Sequence, residues 1–435
     1  MRFFIETVGC LHNFADSQRM AGLLREAKFE QVIGLEDADI VVLNTCTLKG
    51  PIVDDFFIKL EKLKEDYPYK SVVVAGCIPK SGSKRLKDFS VVGPRNLHKI
   101  VEVVEETINE NIAKCLEKGE IPPLDLPHVR KNCVVEIIPI NIGCLSACSF
   151  CKSKHSRGNL TSYGVEEIVT VAKKAVDEGV KEIWLTSQDI FCYGFDIQTN
   201  VAKLLSELLK IEGDFKIKLG TGNPVHLVKF IDELIPLLNH EKMFNFCHLP
   251  IQSGSNKVLN DMKRGGTCEE FVDLVKKLKD GVKNITIATD VIVGYPSETA
   301  EDFWDTQKII RQVNPGIINI SRFCPRPGTS AGSLDPIDDK EVDRRRRVIT
   351  DIYHNIALLQ NERWLGWKGQ IVISAKCKDE GQFIGRNDSY KPIIVSGDYK
   401  FGDKIRVEVT KINAFDLRGK QISPDKEKVT IGIYR

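Results

Sequence analysis

The sequence predicts an α/β chain in three parts: an open parallel α/β domain, a central partial (β/α)6 barrel, and a small antiparallel β-barrel. Three observations carry this. Strand-like apolar runs alternate with helical stretches from the N-terminus onward. A strand-then-helix unit repeats six times in the middle. Helical periodicity disappears after residue 363, where short apolar runs punctuated by Gly and Asp take over. The parts fall at 1–125, 126–363 and 364–435.

The first part opens on the strand-like RFFIETVG. In ADSQRMAGLLREAKF apolar residues recur at helical spacing, with Asp16 and Ser17 placed to cap the helix. ADIVVLNTC reads as a buried strand, Ile52–Asp66 as a helix, and SVVVAGC and FSVVGP as further strands. The polar, Pro-containing EKGEIPPLDLPHVRKN is the linker out. The strands of the middle part are VVEIIPINIG, EIWLTS, KIKLGTG, MFNFCHLPIQ, ITIATDVIVG and IINISRFCP, separated by amphipathic stretches such as VEEIVTVAKKAVDEG. Six such units fall short of the eight of a closed barrel. A polar helix at Asp338–Arg363, carrying Arg344–Arg347, leads to the last part. There the strands are GQIVISAKC, QFIGRN, KPIIVSG, DKIRVEVTKI and KVTIGIYR.

The 435 residues are 42% hydrophobic and 28% charged, an ordinary composition for a globular protein in water. A net charge of +2 gives no global field, so any nucleic-acid surface has to be local, and Lys and Arg outnumber Asp and Glu in the last part. MRFFIETVGC is too short and too quickly polar for a signal peptide, and no run approaches membrane-spanning length. The expectation is a cytoplasmic protein with no membrane and no DNA partner.

Thirteen cysteines in a reducing compartment point to metal or catalysis rather than disulfides. Seven stand singly (Cys115, Cys133, Cys192, Cys247, Cys268, Cys324 and Cys377), and the default for a lone cysteine is a small buried apolar residue. The other six form two trios. Cys10, Cys46 and Cys77 each follow a predicted strand, and strands of a parallel sheet end on one edge, where ligands bind. Cys144, Cys148 and Cys151 form CxxxCxxC after the first barrel strand, at the mouth where barrel active sites gather. Thiolates suit iron–sulfur clusters or zinc, and zinc on three thiolates plus His155 is an open alternative for the second trio. A four-iron cluster held by three cysteines leaves one iron free to take a small molecule.

CxxxCxxC at the head of a partial (β/α)6 barrel resembles the radical S-adenosylmethionine superfamily. That resemblance implies that the open iron chelates S-adenosylmethionine and that its reductive cleavage gives a 5′-deoxyadenosyl radical. ETVGCLHNFADSQRM, LNTCTLKGP and VAGCIPK resemble the N-terminal domain of methylthiotransferases. There three cysteines hold an auxiliary 4Fe–4S cluster, the role implied for Cys10, Cys46 and Cys77. SRGNLTS, HLPIQSGSNKVLNDMKRG, TDVIVGYPSET and FCPRPGTSAG resemble that family's barrel, and the last part resembles its RNA-binding TRAM domain. CKSKHSRGNLTSYG is similar to the archaeal and eukaryotic threonylcarbamoyladenosine branch.

The resemblance implies two 4Fe–4S clusters and S-adenosylmethionine as cofactors. Its implied product is the 2-methylthio derivative of N6-threonylcarbamoyladenosine at position 37 of tRNA. One S-adenosylmethionine donates the methyl group and another is cleaved. The clusters carry the hard chemistry. The partners are tRNA, S-adenosylmethionine, an electron donor and a sulfur source. Sister branches act on isopentenyladenosine in tRNA or on a ribosomal-protein aspartate, and a non-catalytic metal-binding RNA adaptor is the alternative of another class.

Polar strand ends are the candidate cofactor contacts: Thr186, Gln188, Asp189, Thr221, Asn223, His248, Gln252 and Arg326. Asp189 and Asn223 read equally well as strand-ending caps, and His248 as a satisfied core histidine. Arg157, close behind the cysteine loop, is the candidate for an anionic group such as the threonylcarbamoyl carboxylate. Arg344–Arg347 could touch phosphate, and Phe383, Tyr390, Tyr399 and Phe415 could stack bases.

Overall fold

A computed structural model describes residues 1–47, 50–81, 84–117 and 119–423, without the side chains of residues 50–52. The N-terminal part is a six-stranded, all-parallel sheet. In chain order its strands are Arg2–Thr7 (β1), Glu30–Gln31 (β2), Ile40–Thr45 (β3), Ser71–Gly76 (β4), Ser90–Val92 (β5) and Lys114–Cys115 (β6), arranged β2-β1-β3-β4-β5-β6. The short edge strands β2 and β6 carry no strong sequence signal. Helices Leu11–Glu26 (α1), Gly50–Asp66 (α2), Cys77–Lys80 (α3) and Ile100–Ile108 (α4) make the crossovers. β3 is buried along its whole length, as a central strand covered on both faces must be.

α1 starts four residues before the expected start at Ala15, with Cys10 at its N-cap. Asp16 and Ser17 are therefore not caps. Both are buried inside the helix, where Ser17 Oγ binds Thr7 Oγ1 (2.7 Å) and Asn44 Nδ2 (2.8 Å), while Asp16 pairs with Arg157. Tertiary partners satisfy these polar side chains better than backbone capping could.

The barrel strands are Val135–Pro139 (β7), Glu182–Thr186 (β10), Lys216–Lys218 (β11), Phe246–His248 (β12), Thr286–Val293 (β13) and Ile317–Arg322 (β14); a small ribbon, Asn141–Ile142 (β8) and Thr161–Ser162 (β9), flanks the cysteine loop. They pair in parallel as β7-β10-β11 and β12-β13-β14, and the bridges Ile217↔Met243 and Thr221↔His248 join the halves. Six strands in sequential order make a curved, open barrel. Helices Ser153–Arg157 (α5), Val165–Asp177 (α6), Val201–Leu208 (α7), Pro224–Leu227 (α8), Ile231–Leu238 (α9), Asn256–Asp261 (α10), Cys268–Gly281 (α11) and Ala300–Val313 (α12) connect them, and Asp339–Glu362 (α13) leads out.

Alternation decides which side chains face where. Ile183, Leu185, Ile217, Leu219, Cys247, Leu249, Ile287 and Val293 enter the helix-covered core. Trp184, Lys218, Phe246, His248 and Asp290 lie on the opposite, lumenal face. Val135 and Ile137 of the first barrel strand pack with Ala15, Leu11 and Phe14 of α1, so the N-terminal domain leans on that edge.

The last part is a closed five-stranded barrel of Lys368–Lys376 (β15), Gln382–Arg386 (β16), Pro392–Ser396 (β17), Lys404–Ile412 (β18) and Leu417–Gln421 (β19). Its pairings are antiparallel except the parallel pair β17–β19. The closing strand is β19, LRGKQ, whose charged residues hide it from a hydrophobicity reading. KVTIGIYR lies outside the described residues. This barrel docks at the N-terminal ends of the parallel strands. Asn245 N–H donates to Asp388 O (2.7 Å), Ser389 Oγ to Asn284 O (2.7 Å) and Asn132 Nδ2 to Ser374 O (2.7 Å), and Lys216 pairs with Asp388 (2.6 Å). Among the described residues, no helix is long and apolar enough to cross a membrane.

Candidate active site

Both cysteine trios sit at the C-terminal ends of parallel strands. Cys10 follows β1 and caps α1, Cys46 follows β3, and Cys77 opens α3 directly after β4. Gly9, just before Cys10, has φ +151°, and a Cβ there would lie 2.8 Å from Cys46 Cβ. Only glycine allows those two segments to approach so closely. Burial raises the Cys77 thiol to about 12, with the Arg157 guanidinium opposing and Cys46 and Cys10 adding to the rise. The three sulfurs therefore feel one another and one shared cation.

The barrel trio lies in the loop between β8 and α5. Gly143 N–H donates to Gln188 Oε1 (2.7 Å), Asn223 Nδ2 to Ser146 Oγ (3.1 Å), and Lys154 Nζ to Cys144 O. Cys144 is lowered to about 7, chiefly by a hydrogen bond from Cys192, with the Ser146 N–H (3.3 Å) assisting against burial and Asp189. Burial raises Cys148, while Arg264, with Nη1 3.7 Å from its sulfur, counters it.

A hydrogen-bonded seam joins the trios. Ser156 Oγ of α5 donates to Cys77 O (2.9 Å). Arg157 Nη2 donates to Asp16 Oδ2 of α1 (2.6 Å), and both residues are almost fully buried. Gln188 Nε2 contacts His12 Nδ1 (3.1 Å), and burial holds His12 well below the usual histidine range. Arg326 Nη1 reaches Thr47 O, one residue past Cys46. Its guanidinium interacts with Cys46 of one trio and Cys151 of the other, although desolvation lowers it.

The structure brings several expected residues to this rim in roles of their own. Thr221 Oγ1 and Asp290 Oδ1 hold the two nitrogens of His248, each at 2.7 Å, and Asn319 Nδ2 reaches the same Asp290 oxygen (2.7 Å). Thr186 ends β10 and is buried. Gln252 adopts φ +77°, a left-handed conformation uncommon outside glycine, and pairs through its backbone with β13.

Other expected residues are held by partners within the chain. Asp189 caps Phe191 N–H (3.1 Å), accepts from Asn223 N–H (2.9 Å) and contacts His226 Nδ1 (2.7 Å); at 2% exposure its carboxylate shapes the rim from below. Asn223 caps α8 and steadies the cysteine loop. Arg157 is 1% exposed and faces Asp16, Cys10 and Cys77, so it is not open to a substrate carboxylate. In the arginine run, Arg345 is buried against Glu298 (2.7 Å), Arg344 binds Glu341 (2.7 Å) and Arg346 faces Asp343 (3.6 Å). Phe383 is core, Tyr390 packs on Phe244 and Phe246, and Phe415 is exposed beside His354. Cys192, set aside as a lone apolar residue, lies against Cys144. Arg264, Asp290, Asn319 and His12 escaped sequence reasoning because no spacing marks them.

The donor chemistry suits iron–sulfur clusters. All six thiols are free. Among the described residues, three donors within 4.8 Å of one another occur as Cys144, Asp189 and Cys192, and in neither trio. A tetrahedral zinc, with Zn–S near 2.3 Å, would draw its thiolates to about 3.8 Å. A cluster instead spreads its thiolates over separate irons. His155, the candidate fourth zinc ligand, is exposed on α5.

Comparison with known proteins adds to this geometry. Residues 138–310 match the Radical SAM superfamily, 371–422 the TRAM domain, and 2–92 the Uncharacterized protein family UPF0004. The chain is 36% identical over 437 residues to the threonylcarbamoyladenosine tRNA methylthiotransferase of Homo sapiens, covering 98% of this chain and 75% of that one. It is 37% identical over 398 residues to a probable threonylcarbamoyladenosine tRNA methylthiotransferase of Methanothermobacter thermautotrophicus (91% and 93% covered). A corresponding Pyrococcus abyssi protein is 36% identical (93% and 96% covered). In fold the chain resembles a radical S-adenosylmethionine methyltransferase, TsrM, of Kitasatospora setae, at TM-score 0.57, 17% identity and 76% coverage of each chain.

Proposed function

The chain belongs to the threonylcarbamoyladenosine tRNA methylthiotransferases of the radical S-adenosylmethionine superfamily, and on that premise we propose that it replaces C2–H by C2–S–CH3 in N6-threonylcarbamoyladenosine at position 37 of tRNA. S-adenosylmethionine and an iron–sulfur cluster go with that membership. We assign one 4Fe–4S cluster to Cys144, Cys148 and Cys151 and an auxiliary one to Cys10, Cys46 and Cys77. When bound, these groups supply reductive cleavage of S-adenosylmethionine and the sulfur that becomes the methylthio group. An electron donor and a sulfur source complete the stoichiometry.

The observation that carries this reading is the seam between the trios. Two separate thiol sets share one rim, and α5, Arg157 and Arg326 hold them in fixed relation. A metal-binding adaptor has no need of such registration; a reaction that makes a radical at one place and adds sulfur from another does. The chain's own residues do the positioning. Gln188 and Asn223 fix the loop. Arg264 places positive charge at Cys148. Thr221, His248, Asp290 and Asn319 present a pre-bonded polar column to whatever enters the lumen.

Mass spectrometry of tRNA nucleosides from cells with and without the gene tests the substrate, because the 2-methylthio derivative should vanish without it. Two variants test the division of labour. Cys148→Ala should abolish 5′-deoxyadenosine formation, whereas Cys46→Ala should keep cleavage and lose the methylthio product. Normal product from Cys46→Ala would remove the strand-end trio from sulfur delivery.

A further inference from the structure

We propose that Lys218 and Arg386 form the subsite for the carboxylate of the threonylcarbamoyl group, deep in the barrel lumen below the cysteine rim. This rests on the substrate reading above and replaces Arg157 in that role. The starting point is a mismatch of charge. The buried Arg157 and Arg345 have carboxylates, Asp16 (2.6 Å) and Glu298 (2.7 Å), as does the half-buried Arg130, with Glu136 (2.5 Å), while the buried Arg19 reaches the Leu124 carbonyl (3.4 Å). Among the described residues, Lys218 and Arg386 make no ion pair.

Their surroundings are aromatic instead. Lys218 Nζ lies 5.3 Å from the Trp184 ring centre, 5.6 Å from Phe246 and 5.0 Å from Tyr390. The Arg386 guanidinium lies 4.7 Å from Tyr390 and 5.9 Å from Trp184, with Nη1 on Ser374 Oγ (3.2 Å). Glu182, the acid that acts on Lys218, accepts the Trp184 indole N–H (2.8 Å). Burial, and then Arg386, lower the Lys218 amine to about 8, with Glu182 opposing. Two cations held together among aromatic rings, with no ion pair among the described residues, form a receptor for an anion with planar apolar surface behind it.

The depth fits as well. Lys218 pairs in register with Trp184, four residues before Gln188, which binds the loop at Gly143. At strand rise this is ~13 Å below the rim. The column of Thr221, His248, Asp290 and Asn319 belongs to the neighbouring strands of the same lumen. In threonylcarbamoyladenosine the carboxylate ends the N6 substituent, several bonds from C2. A carboxylate on Lys218 and Arg386 would leave the purine at the column, with C2 toward the rim. Arg386 ends β16 of the C-terminal barrel, so that domain contributes to the subsite.

An RNA phosphate shares the anionic chemistry, and the test separates the two. Anticodon hairpins carrying threonylcarbamoyladenosine, its threonine-amide analogue or plain adenosine at position 37 are titrated anaerobically into the cluster-loaded, full-length protein. Wild type should prefer the carboxylate hairpin over both others by about tenfold to a hundredfold. Lys218→Met and Arg386→Gln should each erase most of that preference and leave affinity for the adenosine hairpin unchanged; Lys218→Arg should retain it. Iron content and thermal melting of each variant identify misfolding, and the amide arm needs no variant. Equal weakening for all three hairpins would assign the cations to phosphate and overturn the subsite, as would an amide bound as well as the acid. A wild type without preference for the modified over the plain hairpin would overturn the substrate reading, and the subsite with it.

Discussion

Cys144, Cys148 and Cys151 come from one loop and are all partly exposed, whereas Cys10, Cys46 and Cys77 come from three strand ends, with Cys46 and Cys77 each only 4% exposed. The two trios share an edge but are held by different means. The loop trio depends on hydrogen bonds to side chains outside the loop: Gln188 accepts from Gly143 N–H, and Asn223 and Lys154 donate into the loop. The strand-end trio depends on the sheet itself, whose all-parallel order fixes where β1, β3 and β4 stop. The difference teaches that a metal site can be encoded as spacing or as topology, and that each fails differently.

The largest expected effect comes from cutting the seam between them. Arg157→Met would leave Asp16 buried without its cation. Burial already raises the Asp16 carboxyl despite Arg157, so the arginine is what keeps an ionised form affordable there. Removing one partner of such a buried pair costs about 3–5 kcal/mol. Denaturant unfolding of cluster-loaded protein should show that loss, and the double variant Arg157→Met with Asp16→Asn should recover part of it. Unchanged unfolding of the single variant would mean that the two trios are scaffolded independently.

A smaller effect separates spacing from topology. Gly143 has φ +84°, and a Cβ there would lie 2.0 Å from Asn159 O, so Gly143→Ala must displace the loop. Strain of this kind costs about 1–3 kcal/mol. With one 4Fe–4S cluster on each trio, as proposed, iron should fall from about eight per chain to about four, the loop trio losing its cluster and the sheet-held trio keeping its own. Retention of both clusters would show that CxxxCxxC needs no supporting geometry.

The sequence discloses these features unevenly, for physical reasons. CxxxCxxC is legible because the whole ligand set lies within one loop. Cys10, Cys46 and Cys77 become legible only once β1, β3 and β4 are recognised as parallel neighbours, which their unbroken apolar runs permit. The six barrel strands announce themselves in the same way. The closing strand LRGKQ does not, because two of its five residues are basic and its place is fixed by barrel closure. Nearness to the loop points Arg157 toward substrate; α5 turns it the other way, into Asp16. Lys218, alternating with the core residues Ile217 and Leu219, was the available signal for a lumenal site. Arg386 carried none, since only docking of the last barrel brings it there.

The smallest expected effect bears on whether the loop trio is a trio at all. Cys192 is fully buried, hydrogen-bonds to Cys144 and also reaches Asp189 O (3.2 Å). With Asp189 it completes a set of donors tighter than either trio, which raises the prospect of a fourth thiolate. Its geometry argues for a donor role instead. Its sulfur lies 3.2 Å from Asp189 O and hydrogen-bonds to Cys144, and that bond, then burial and Asp189, push its thiol upward. Cys192→Ala should therefore cost about 1 kcal/mol in stability, as small buried truncations do. Iron content and S-adenosylmethionine cleavage should be unchanged. If iron in this variant instead falls by half, Cys192 is a ligand, the loop set is a quartet, and the vacant coordination place on which radical generation depends belongs to the strand-end trio alone.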